Sequence, residues 1–186
     1  MENRKVLTMI QKSFDHLISP VLIIMIAVVL RLLPHPANMA PIAAMALFGG
    51  VYLNKKYALV FPLVALFISD IFLGFHASML TVYASFLLTG LMGIWLSKRK
   101  KVSYIATASI LSSIIFYLLT NFNYFYATSL YPKTLTGLAE SYAAAVPFFR
   151  NTLLGDLIYT GLFFGAYETV RLILYKRRLA IKEARK

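Results

Sequence analysis

Cysteine is absent from all 186 residues, which excludes disulfides, thiol catalysis and cysteine-ligated metal. Acidic residues are scarce as well, seven against nineteen lysines and arginines, and the three histidines show no metal-ligand spacing. No nucleophile motif is present, so the chain is expected to be neither an enzyme nor the holder of a cofactor. Nor is there a linker, a low-complexity run or a shift in composition, and residues 1–186 read as a single domain. A small-residue cleavage site is missing after the first apolar stretch, where Arg31-Leu-Leu-Pro stands instead, so that stretch does not read as a cleavable signal peptide.

What the chain has in abundance is apolar surface. It is 60% hydrophobic and 15% aromatic, with a mean hydropathy of +0.72, more than a soluble domain of this length can hide. A membrane-crossing helix needs about 20 apolar residues. The pattern therefore predicts an all-α membrane protein, a bundle of six transmembrane helices at 17–33, 39–53, 57–75, 77–96, 102–125 and 142–174. The second stretch is short, and Pro34-His35-Pro36 and Pro41 stand at its start.

Charge placement selects six crossings over five, because short loops rich in Lys and Arg stay in the cytoplasm. With six, the clusters at Arg4, Lys5 and Lys12, at Lys55-Lys56, at Lys98 to Lys101 and in the tail from Lys176 share one side. That side then holds fifteen of the nineteen basic residues, with both termini cytoplasmic. The net charge of +12 is thus an orientation signal rather than a nucleic-acid footprint. The expected surroundings are the bilayer of a bacterial inner membrane, crossed several times.

Polar residues inside the spans gather on the opposite, outer side. Arg31 ends the first helix, and His35 and Asn38 lie in the turn that follows. Asp70 is expected about 8 Å below the outer end of the third helix, which His76 closes. Asn121 and Asn123 lie near the outer end of the fifth. Arg150 and Asn151 open the sixth, with Asp156 about 9 Å deeper. Intramembrane charges normally face the bundle interior, a partner or water. The set predicts a water-accessible cavity, with Arg31 and Arg150 holding acceptor groups and Asp70 and Asp156 positioning those arginines or binding a cationic part. Pro41 and Pro147 stand near outer helix starts, where proline is tolerated. Small residues give two packing elements, Gly161-Leu-Phe-Phe-Gly165 in the sixth span and Ala40 with Ala44 in the second.

Several stretches, among them Arg31-Leu-Leu-Pro-His-Pro-Ala-Asn-Met-Ala-Pro-Ile, Ala46-Leu-Phe-Gly-Gly, Ser69-Asp70, Thr120-Asn-Phe and Pro147-Phe-Phe-Arg-Asn-Thr-Leu-Leu-Gly-Asp156, resemble an uncharacterised bacterial family of small transport-type membrane proteins. More loosely, the chain resembles the substrate-binding S components of energy-coupling factor vitamin transporters. That resemblance implies capture of a vitamin-like micronutrient from outside and a partner, a transmembrane coupling subunit driven by ATPases. The alanine pair that such components carry four apart on the first helix is missing from 17–33; Ala40 and Ala44, on the second, come nearest.

The resulting expectation is a transport protein that binds a small polar or ring-containing solute in an outward-facing cavity. The alternatives are an ion-coupled secondary carrier using Asp70 or Asp156, a membrane-embedded enzyme built on His35, His76 and Asp70, and a structural membrane subunit.

Overall fold

The computed structural model describes residues 20–183, all of whose regular structure is helical. The basic clusters at Arg4, Lys5 and Lys12 and at Arg185 and Lys186, like residues 17–19 of the expected first span, lie outside that range. In chain order the helices are α1 (Pro20–Leu32), α2 (Ile42–Tyr52), the single turn α3 (Lys55–Ala58), α4 (Val60–Leu73), α5 (Met79–Leu96), α6 (Val102–Ala127) and α7 (Leu135–Glu183). Three of them, α5, α6 and the Leu135–Arg177 part of α7, are long and apolar enough to cross a membrane.

The short α2 is the axis of the fold. Its sequence, Ile-Ala-Ala-Met-Ala-Leu-Phe-Gly-Gly-Val-Tyr, has no polar face, and a helix that is apolar all round is buried all round. Every residue from Ile42 to Val51 is buried. Around it pack α5, α7 and α4, while α1 lies against α4 and α6 against α7. One apolar cluster joins Leu47, Phe48 and Val51 to Leu96, Ile105 and Phe164; a second joins Ile42 and Met45 to Ala27, Val28, Ala65 and Leu66.

Backbone contact sets the distance between α2 and α5. A Cβ on Gly50 would fall 2.6 Å from the Gly90 carbonyl oxygen and 2.6 Å from Gly93 Cα, and one on Gly93 would fall 2.5 Å from the Leu47 carbonyl oxygen. Only glycine allows helices to approach this closely. By contrast, a Cβ on Gly161 or Gly165 meets nothing within 4 Å among the described residues. The GxxxG element of the sixth span therefore packs no helix within the described chain, and the close crossing uses Gly50, Gly90 and Gly93 instead. Of the alanine pair, Ala44 is buried and Ala40 half-buried, so both face into the bundle.

Three stretches depart from the expected spans. At 11 residues α2 is shorter than 39–53 and, by rise per residue, only about 16 Å long. The third is broken at Leu59 because Pro62 has no N–H for the Ala58 carbonyl. The sixth begins at Leu135 rather than 142 and continues for 49 residues, so Pro147 sits inside a helix rather than at its start. The turn before α7 is drawn tight by Lys133, whose Nζ donates to the carbonyls of Phe125, Tyr126 and Thr128 at the end of α6. Large apolar side chains lie exposed along the outer helices, among them Phe67, Phe72, Leu80 and Trp95, as expected of a surface that faces hydrocarbon.

Candidate functional site

The two ends of the bundle differ in chemistry. At one end α2 finishes at Tyr52, whose hydroxyl donates to Glu168 Oε1 at 2.5 Å, while Lys100 Nζ lies 4.5 Å from the Tyr52 ring centre. Glu168 also pairs at 3.4 Å with Arg171; the arginine is exposed and the glutamate half-buried. Beside them an apolar groove of about 340 Å³ runs between α6 and α7, bounded by Ile105, Thr160, Gly161, Gly165 and Glu168.

The other end holds most of the polar residues expected of a site. Arg31, in the last turn of α1, places Nη2 2.6 Å from Asp70 Oδ1, and the Tyr83 hydroxyl donates to Asp70 Oδ2 at 2.9 Å. Asp70 is 1% exposed and Arg31 14%. With a guanidinium on one oxygen and a phenol on the other, Asp70 is a fully compensated anion tying α1 to α4 and α5. It stands behind Arg31 and does not line the cavity.

That cavity measures about 280 Å³. Its polar wall is formed by Arg31, His35, Asn38, His76, Thr152 and Asp156, and its apolar wall includes Leu73, Phe86 and Phe116. The exposed His35, Asn38 and His76 make its rim. His35 is oriented by a 2.6 Å contact between its Nδ1 and the Leu33 carbonyl oxygen. Asn38 adopts the left-handed φ of 63°, a conformation asparagine tolerates better than most residues, in the turn closed by Met39 N–H donating to the Pro36 carbonyl. A second cavity of about 200 Å³ adjoins the first and shares Asn38, Val82, Phe116 and Thr152 with it. Aromatic rings border both: Phe86 and Phe116 lie 5.4 Å apart, Tyr117 and Phe149 4.7 Å apart.

Asp156 differs from Asp70. It is 3% exposed, accepts a 2.6 Å hydrogen bond from the Ser113 hydroxyl on α6, and has no ion-pair partner among the described residues. One turn further along, Ser109 and Thr160 pair their hydroxyls at 3.2 Å, and Thr89 and Ser112 do so at 2.6 Å. A seam of small hydroxyl side chains thus runs through the middle of the bundle.

The remaining residues take other positions. Asn121 lines the second cavity, its amide donating to the Tyr117 carbonyl at 2.7 Å. Asn123 Nδ2 donates to Ser78 Oγ at 3.2 Å, joining the end of α6 to the start of α5, and Asn151 Nδ2 donates to the Ala37 carbonyl at 3.1 Å, holding the rim loop on α7. Arg150 is exposed and lines neither cavity. The structure thus gathers Arg31, His35, Asn38, His76 and Asp156 round one space, with Asn121 in the adjoining one. It assigns Asp70, Asn123 and Asn151 to contacts within the chain.

Sequence reasoning passed over Tyr83, Thr152 and Ser113. For Ser113 a signal was available, since hydroxyls at 109, 112 and 113 within an otherwise apolar span need partners there. Among the described residues no group of three or more His, Asp or Glu side chains is arranged to hold a metal.

No curated protein and no solved structure matches the chain. Residues 11–179 match the family of unknown function DUF6580, and the chain belongs to that family.

Proposed function

We propose that the protein is a multi-pass protein of the bacterial inner membrane, with six crossings and both termini in the cytoplasm, that captures a small polar, ring-containing solute from outside for uptake. In this arrangement the Tyr52–Lys100–Glu168 end faces the cytoplasm and the Arg31–His76 end faces out. The observation that carries the reading is the 280 Å³ cavity itself. Its wall combines hydrogen-bonding groups, Arg31, His35, Asn38 and His76, with the Phe86 and Phe116 rings. A few placed polar groups on an otherwise apolar wall are the usual make-up of a small-molecule site.

The character of the wall narrows the solute. Asp70 already neutralises Arg31, so the guanidinium offers directed donors more than net charge. Aromatic rings favour a flat, unsaturated body, and the volume suits a ligand of vitamin-like size or smaller. The reading makes the protein a transport component rather than an enzyme.

Gentle purification followed by mass spectrometry of whatever denaturation releases tests it. A single small ring compound should co-purify with the wild type and be lost from a Phe116→Ala, His76→Ala variant that still folds. Equal recovery from the wild type and that variant would refute the assignment of the cavity.

A further inference from the structure

We propose that Asp156 is a proton-binding site served by the outer cavity, so that proton and solute occupy neighbouring, linked positions. The link to solute rests on the function proposed above; the proton site does not.

Two carboxyl groups are buried in the bundle, those of Asp70 and Asp156. Asp70 is held by Arg31 at 2.6 Å and Tyr83 at 2.9 Å, so its negative charge is balanced within the chain. Asp156 is nearly as deeply buried, yet its only hydrogen-bond partner among the described residues is the neutral hydroxyl of Ser113, on Oδ2. An uncompensated carboxylate among packed helices is costly, and such groups in membrane helices commonly mark ion or proton pathways. Among the described residues no side chain supplies the compensating cation.

The surroundings say which cation is suitable. The neighbouring α2 carries no ionisable residue from Ile42 to Val51, and the buried polar side chains of α6 are the neutral Ser109, Ser112 and Ser113. On α5 the ionisable Tyr83 is engaged by Asp70. On α7, Arg150 is exposed away from the cavity wall. The remaining titratable groups on the wall Asp156 shares are Arg31, itself paired with Asp70, and the rim histidines His35 and His76. One hydroxyl beside one carboxylate is a poor cage for a metal cation, which takes several oxygen ligands. A proton needs only the free Oδ1. In the loading step a hydronium ion of the cavity water gives its proton to Oδ1; an O–H bond forms on Asp156, one breaks in hydronium, and a water molecule remains.

Because Asp156 lines the cavity, a solute seated there displaces the water that loads and unloads it. Proton occupancy and solute occupancy therefore influence each other reciprocally, as any two coupled sites must.

Infrared difference spectroscopy of the purified protein in lipid at neutral pH tests the site without any added solute. The wild type should show the carbonyl band of a protonated carboxylic acid, and the band should move on exchange into deuterated water. Asp156→Asn should abolish it, and Glu140→Gln, at an exposed carboxylate away from the cavity, should leave it. Ser113→Ala, which keeps the acid but removes its hydrogen bond, should shift it to higher frequency, a readout that survives even if Asp156→Asn does not fold. Absence of the band in the wild type, its persistence in Asp156→Asn, or its appearance only after sodium is withdrawn would each overturn the proposal. A band obeying these expectations in a protein from which no ring compound is ever released would keep the proton site and remove the uptake reading.

Discussion

Replacing glycine by alanine at five positions separates a real helix crossing from an apparent one. In a helix interior the change is favourable by about 1 kcal/mol from backbone entropy alone, so any loss must come from sterics. At Gly93 the new methyl would lie 2.5 Å from the Leu47 carbonyl oxygen, and at Gly50 2.6 Å from Gly93 Cα. Both obstacles are backbone and cannot rotate away. The two helices would have to part by about 1 Å to restore ordinary contact, disturbing a centre in which every residue of α2 from Ile42 to Val51 is buried. Overpacking of this kind costs about 1–3 kcal/mol or more, so each variant should melt several degrees below the wild type. At Gly90 the nearest atom is Leu59 Cδ2 at 2.8 Å, the end of a side chain that can turn, and the loss should be smaller. Gly161→Ala and Gly165→Ala, facing open space, should be neutral or slightly stabilising. Thermal unfolding of the five variants in one detergent reads the order directly. A Gly161→Ala variant as damaged as Gly93→Ala would refute the packing argument and make the GxxxG face the true interface.

Two further outcomes follow from the ion pair and from the charge pattern. Asp70→Asn, by leaving the Arg31 guanidinium uncompensated, should cost about 3–5 kcal/mol in unfolding experiments, whereas Tyr83→Phe should cost about 1 kcal/mol; equal effects would mean that the pair is not the stabilising element. Reporter fusions at Lys56, Lys100 and the C-terminus should all signal cytoplasm, and a periplasmic signal at Lys56 would remove the six-crossing arrangement.

The helices at Met79–Leu96 and Val102–Ala127 were legible because an apolar run of that length between basic or proline-marked turns has few other uses. The gathering of Arg31, His35, Asn38, His76 and Asp156 at one end was legible too, since helices of known length and alternating direction fix the depth of each residue. The partners were not. Nothing in the sequence says that Arg31 chooses Asp70 over Asp156, because that depends on how α1 leans against α4. Spacing likewise could not distinguish the bare Gly161 and Gly165 from the crossing at Gly50 and Gly93. A periodic pair shows which face carries small residues, while the identity of what lies opposite is a tertiary fact. Pro147 misled for a related reason: proline usually opens a helix, but α7 runs from Leu135 to Glu183 with Pro147 inside it.

If α2 crosses the bilayer, as in the six-crossing arrangement proposed above, its shortness accounts for the position of the cavity. A hydrocarbon core is about 30 Å thick, and 11 residues of helix cover only about 16 Å of it. The Gly50–Gly93 crossing and the Tyr52–Glu168 bond fix the far end of α2 beside Lys100, so the shortfall appears at the Arg31 end. There the chain descends as the non-helical stretch from Leu33 to Pro41. Backbone without a helix is tolerated at membrane depth only where protein or a water-filled space satisfies it. Asn151 satisfies the Ala37 carbonyl, His35 contacts the Leu33 carbonyl, and the cavity takes up the space that a longer helix would have filled. Extending α2 by a turn at its Pro41 end would place apolar side chains where Asn38 and Ala40 now line the site. In the arrangement proposed here, the deficit of one helical segment makes the cavity, and the arginine, histidines and Asp156 around it give that cavity its chemistry.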